Sequence, residues 1–209
     1  MAYGMVPVTH GGYNYQTGGF EEFPIADNYD TEIYNGDLVI LLDSGTIARF
    51  TTTLSALGPV PLVGAVGGSG GSLPANPVLG VFVGCRYDDA NSTPAWAQYW
   101  GTSGTNAFGF VVTDPNAVFK SQYVATWNDN LVGETCDVTV VGADSTAAGG
   151  STATGNSANS IPASTTNLGF RIIGVIRDGK NETASVTTPD ILVRYSSPSV
   201  QLYGYQTLV

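Results

Sequence analysis

The chain has 209 residues, enough for one large domain with a substantial buried core. Charged residues make up 11%, against about 25% in ordinary soluble proteins, and 27 glycines accompany abundant Ser and Thr. That composition excludes a coiled coil or helical bundle, and a hydrophobic content of 43% with 11% aromatics excludes a chain unable to bury itself.

The formal charge is −10, and the seven bases are scattered along the chain with no basic patch. Nucleic-acid binding needs clustered Lys and Arg, so neither nucleic acid nor an anionic membrane is an expected partner. No stretch approaches the ~18–20 apolar residues of a membrane span. The start of the chain lacks a charged n-region followed by an apolar h-region, so synthesis in a cytoplasm is the expectation. Two cysteines without a CxxC are too few for a disulfide framework or a thiolate zinc site. Cys85 lies in an apolar run and reads as a buried thiol.

In chain order, residues 1–35 read as an extended N-terminal arm rich in Gly, Tyr, Asn and Pro. Gly36-Asp37 is a turn, and residues 38–42 form a short aliphatic run expected to be a buried strand. Residues 51–76 read as a long loop with a short strand at 60–63. Residues 77–87 are the clearest strand, followed by aromatic strands at 95–100 and 108–113. Asp114-Pro115-Asn116 is a turn. Residues 118–126 and 136–141 read as strands. Residues 142–167 are a charge-poor Ala, Gly, Ser, Thr and Asn tract expected to be a long loop, flexible or pinned by a partner. Strong strands follow at 168–176 and 190–195, joined by a turn at 177–181. The core is thus 36–195 and the C-terminal tail 196–209. No helix of ten residues is expected. The fold class is all-β, a small antiparallel barrel or sandwich with long Gly/Ser/Thr loops.

The residues spell out no reaction. His10 is the only histidine and lies in the arm. Gly67-Gly68-Ser69-Gly70-Gly71 matches G-x-S-x-G, but a nucleophile elbow sits between a strand and a helix of an α/β sheet. No Lys follows these glycines as a phosphate-binding loop requires. Asp27, Asp30 and Glu32, or Asp88 and Asp89, are the nearest approach to a calcium site, without EF-hand spacing. Glu21, Glu22 and Glu32 cluster in the arm, where a glycosidase carboxylate pair is not expected. Trp96, Tyr99 and Trp100 suit sugar stacking, although aromatic packing explains them as well. No enzyme activity, cofactor or metal is expected. An arm, two uncharged loops and an aromatic tail suit a protein that packs against neighbours.

The stretch Tyr3-Gly4-Met5-Val6-Pro7-Val8-Thr9-His10-Gly11-Gly12 resembles the start of capsid decoration (cement) proteins of tailed bacteriophages, which carry Tyr-Gly-x-x-Pro-Val-x-His. The likeness continues in order through Tyr34-Asn35-Gly36-Asp37-Leu38-Val39 and Leu79-Gly80-Val81-Phe82-Val83-Gly84. It then takes in Asp114-Pro115 with Phe119 and Gln122, and Phe170-Arg171-Ile172-Ile173-Gly174-Val175. Family members often have Trp-Asn in the arm where this chain has Tyr13-Asn14. The resemblance implies a non-enzymatic virion protein on the outer capsid surface, bound to the major capsid protein and itself a homo-oligomer, with a trimer expected. Expected partner contacts are Tyr3, Val6, Pro7, His10, Tyr13, Tyr15 and Phe20, with Tyr203 and Tyr205 in the tail. Each of the arm residues could instead pack on the chain's own core. The alternative reading is a tail or receptor-binding virion protein that recognises a host surface molecule.

Overall fold

Short β-branched and aromatic runs punctuated by Gly, Asn and Asp fold into two antiparallel sheets packed face to face. The computed structural model describes residues 2–8, 19–51, 78–114, 116–141, 149–163, 169–176 and 188–196. Its strands are β1 (Val6–Val8), β2 (Glu21–Pro24), β3 (Leu38–Leu41), β4 (Ile47–Arg49), β5 (Val78–Asp88), β6 (Pro94–Ala97) and β7 (Thr105–Val112). They continue with β8 (Val118–Gln122), β9 (Thr135–Cys136), β10 (Gly150–Ser151), β11 (Asn156–Ser157), β12 (Phe170–Val175) and β13 (Asp190–Tyr195). A 3₁₀ turn, Asp129–Leu131, is capped by the side chain of Asn128.

The first sheet runs β1-β8-β13-β12-β9. The second runs β2-β7-β5-β3-β4, and β6 also pairs with β5. β3 and β6 share one edge of β5 end to end: β3 pairs with residues 78–81 and β6 with residues 85–88. A single parallel bridge, Ile25 to Ile47, draws the two ends of the second sheet together. Among the described residues the sheets do not close into a barrel, and the architecture is sandwich-like.

Strand β5 explains why its sequence reads as continuously apolar. Val78, Val81 and Val83 face the core between the sheets, while Leu79, Phe82, Cys85 and Tyr87 face a second core on the opposite side. A strand buried on both faces loses the hydrophobic-polar alternation of a solvated one. The inter-sheet core centres on Phe119, Phe170 and Tyr195, whose ring centroids lie 5.1–6.5 Å apart. The second core is closed by Ile33 and Trp100, whose backbones bridge.

The described parts of residues 1–35 run along the chain's own sheets. β1 forms one edge of the first sheet and β2 one edge of the second. Several strands are shorter than the sequence suggests. The run 95–100 pairs only as Pro94–Ala97, because Trp100 turns inward to Ile33. The run 118–126 ends at Gln122, and 136–141 pairs as Thr135–Cys136 before a bridge from Thr139 to Ser160. The expected strand at 60–63 lies outside the described residues.

The tract 142–167 departs most from the sequence reading. Its described part, residues 149–163, carries the β10–β11 hairpin and buries Ser157, Asn159, Ser160 and Ile161. The reason is a buried charge. Asp37 Oδ1 accepts hydrogen bonds from Ser157 Oγ at 2.6 Å and Asn159 Nδ2 at 3.2 Å. Its Oδ2 accepts from the Tyr34 backbone N–H at 2.9 Å and faces Arg49. Uncharged Ser and Asn can enter the interior and satisfy a carboxylate there, which a charge-rich loop could not do.

Candidate functional site

Of the expected contact residues, Tyr3, Val6, Pro7 and Phe20 are described; His10, Tyr13, Tyr15, Tyr203 and Tyr205 lie outside the described residues. Tyr3 donates its hydroxyl to Asp190 Oδ1 at 2.5 Å, and the Lys120 ammonium sits 4.9 Å from its ring centre. Lys120 and Asp190 themselves approach to 3.8 Å. Burial and the neighbouring carboxylate push the Tyr3 phenol well above its ordinary pKa. Val6 and Pro7 pair with Lys120 and Phe119 of β8 and are half-buried. Pro7 brings no N–H to the ladder, which sheets accept on an edge strand. Among the described residues nothing pairs with the outer side of β1. Phe20 packs its ring 4.9 Å from that of Phe110. These four residues therefore touch the chain's own sheets.

The aromatic group at 96–100 separates into three environments. Trp100 is buried, and its indole N–H donates to the Tyr29 carbonyl at 3.1 Å. Tyr99 stacks on Tyr34, with centroids 5.5 Å apart and planes 12° from parallel. Trp96 is 70% exposed.

Trp96 stands on the side of the second sheet opposite the second core, at the end of the face that packs on the first sheet. Across the strands Trp96 lies opposite Arg86, Arg86 opposite Phe108, and Phe108 opposite Pro24. Directly opposed residues of antiparallel strands share a face. The Arg86 guanidinium lies 4.2 Å from the Phe108 ring centre and bonds Glu22 Oε2 through Nε and Nη2 at 3.1 and 3.0 Å. Phe110 and Phe20 continue the face toward the inter-sheet core. The result is an apolar, aromatic strip with one pinned cation and an exposed indole at its rim.

Arg86, Phe108 and Phe110 were not singled out from the sequence as members of this face. A signal was present in β7, where Phe108 and Phe110 alternate with Ala107, Gly109 and Val111. Ala107 and Val111 face the second core and the two aromatics the opposite side, so β7 lacks the polar face of a half-buried strand.

Other candidates serve the structure. Asp27 accepts from the Asn106 backbone N–H, Asp88 from its side-chain amide, and Asp89 from the N–H groups of Asn91 and Thr93. Glu32 accepts from the Tyr34 hydroxyl. No group of three or more His, Cys, Asp or Glu able to hold a metal ion occurs among the described residues. Cys85 and Cys136 are free and buried, and burial pushes both thiols up to about 12. Such thiols stay protonated and are poor nucleophiles. The segment Gly67-Gly68-Ser69-Gly70-Gly71 lies outside the described residues.

No protein-family model matches the chain, and neither a curated protein nor a solved structure matches it significantly.

Proposed function

We propose that the chain is a structural virion protein that binds the outer surface of a bacteriophage head and stabilises contacts between major capsid protein subunits. The observation that carries this reading is the end of that face of the second sheet, with Trp96 at 70% exposure beside Arg86, Phe108 and Phe110. Trp and Arg dominate the energetics of protein interfaces, and an exposed Trp beside half-buried aromatics suits a contact surface. The ordered resemblance to phage decoration proteins supplies the identity of the partner.

The open outer edge of β1 supports the same reading, because an unpaired edge can add a strand from a neighbour. A protein bridging two capsid subunits adds area at each junction, and stable interfaces bury about 1,200–2,000 Å² in total. Mass action then favours the assembled shell over free subunits. The reading gives the protein no reaction, cofactor or nucleic-acid partner. A homotrimer, the oligomer of the resembled family, fits junctions of threefold symmetry.

A density map of the particle carrying this protein tests the proposal directly. Many ordered copies at junctions between capsid subunits, with the Trp96 face against them, are the expected result. On purified heads, Trp96→Ala should lower occupancy while changing stability by no more than about 0.5 kcal/mol, as for other exposed positions. Copies found only at the tail would sink the proposal in favour of a receptor-binding protein whose exposed indole stacks on a host sugar.

A further inference from the structure

The outer face of the first sheet carries an arrangement that the capsid reading does not use. Arg171 on β12 and Arg194 on β13 stand directly opposite each other. Opposed residues have Cβ atoms about 5 Å apart, and like charges so placed destabilise the pair. Both arginines are exposed. Arg49, Arg86 and Lys120 each face an acid, whereas among the described residues Arg171 and Arg194 have none within ion-pair distance. Glu134, which precedes β9 beside them, forms no ion pair with either.

The two arginines line a half-open recess of about 430 Å³, with Val132, Ile173 and Asn116 in its wall. Val132 is 48% exposed there. Two adjacent guanidiniums with an apolar wall fit a carboxylate carried next to an aliphatic side chain. Guanidinium pairs bind carboxylates through directed, charge-assisted hydrogen bonds. The anion also removes the repulsion between the two cations.

The β3–β4 hairpin presents a carboxylate close to an exposed aliphatic side chain. Leu41 is 38% exposed at the end of β3. Asp43 is exposed in the turn that follows, and its carboxylate has no hydrogen bond or ion pair among the described residues. Net charge of −10 opposes association of copies over most of their surface, so a contact between them is favoured where two cations stand without an ion pair among the described residues.

We propose that the Arg171–Arg194 recess receives the Asp43 hairpin tip of a second copy of this chain. The carboxylate sits between the guanidiniums, and Leu41 lies against Val132. Recess and tip lie on different sheets, so copies pair either reciprocally about a twofold axis or head-to-tail. Head-to-tail contacts close into rings or run on as filaments. The proposal does not rest on the capsid reading.

Sedimentation velocity of the purified full chain over a concentration series tests it. The wild type is expected to self-associate, more strongly at low salt than at high salt. The double variant R171E/R194E and the single variant D43K should each weaken association roughly tenfold or more, the effect of losing a charge-assisted contact. D43K lies on the other sheet and in an exposed turn, so it reports on the contact even if the arginine variant folds poorly. Combining all three changes in one chain reverses both charges and should recover association. A wild type that stays monomeric at every concentration overturns the proposal. So does self-association that these variants leave unchanged, or an inorganic phosphate site at the arginines without self-association.

Discussion

Asp37 Oδ2 and Arg49 Nε lie 3.1 Å apart in the interior, with side chains 0% and 5% exposed. The Nε–H is not aligned for a hydrogen bond with that oxygen, so the contact is an ion pair. Arg49 is anchored elsewhere as well: Nη2 donates to the Val141 carbonyl, and the Arg49 backbone N–H donates to the Tyr29 hydroxyl at 2.8 Å. Asn159 accepts from the Val141 N–H at 2.9 Å. The pair thus ties β3, β4 and the 149–163 segment together. Removing one member strands a buried charge, which costs roughly 3–5 kcal/mol. Asp37→Ala and Arg49→Met should each lower Tm by on the order of 10 °C. Thermal melts followed by circular dichroism check this, and melts within about 2 °C of wild type, a change of about 0.5 kcal/mol, would contradict it.

The same pair sets a pH dependence. Burial raises the Asp37 carboxyl from 3.8 to about 6, with Arg49, Ser157 and the Tyr34 N–H pulling in the opposite direction. Between these values the folded state binds more protons than the unfolded state, so stability falls as pH rises from about 4 to about 6. The shift corresponds to roughly 3 kcal/mol. Urea unfolding at pH 4–8 should show this slope in the wild type and lose it in Asp37→Asn. Arg49→Met removes the group that holds the carboxyl down, so its falling limb should extend to higher pH.

Gly36 follows from a close crossing. It has φ +91°, and a Cβ there would fall 2.7 Å from the Met5 backbone N. The Gly36 carbonyl in turn accepts from Met5 N–H at 3.1 Å. Gly36→Ala therefore meets both backbone strain and a steric clash, and should cost about 2 kcal/mol or more. Equilibrium unfolding gives the value; a neutral result would mean that residues 4–5 can move away.

Tyr195 points the other way. Its ring belongs to the Phe119–Phe170 group, but its buried hydroxyl has no hydrogen-bond partner among the described residues. Burial raises its pKa far above the ordinary phenol value. Tyr195→Phe keeps the ring and removes a group that pays a desolvation cost of about 1–3 kcal/mol. The variant should melt higher than wild type, and a lower Tm would show that the hydroxyl has a partner in solution.

The all-β class and the long strands were legible because β5, β12 and β13 are apolar for most of their length. β1, β2 and β4 were not, because three or four residues carry no period and Pro7 and Pro24 weaken the strand pattern. Ser157 and Asn159 read as loop residues. Their partner Asp37 is 120 and 122 positions away, and no local pattern signals such a need. The aromatic group at 96–100 was visible as a group. Its division into one exposed and two inward rings depends on where β6 ends. Arg171 and Arg194 looked scattered because only the pairing of β12 with β13 brings them together.

The order of the first sheet also governs when the protein can fold. β13, the last of the described strands to leave the ribosome, lies between β8 and β12 in the middle of that sheet. Until residues 190–195 emerge, the β1–β8 and β12–β9 pairs lack the strand between them, and Phe119 and Phe170 lack the ring of Tyr195. Residues are added at about 5–20 per second, so β8 waits several seconds for β13. Nascent chains halted before β13 should expose apolar strand edges and require chaperones, whereas chains carrying β13 clear of the exit tunnel should resist proteolysis.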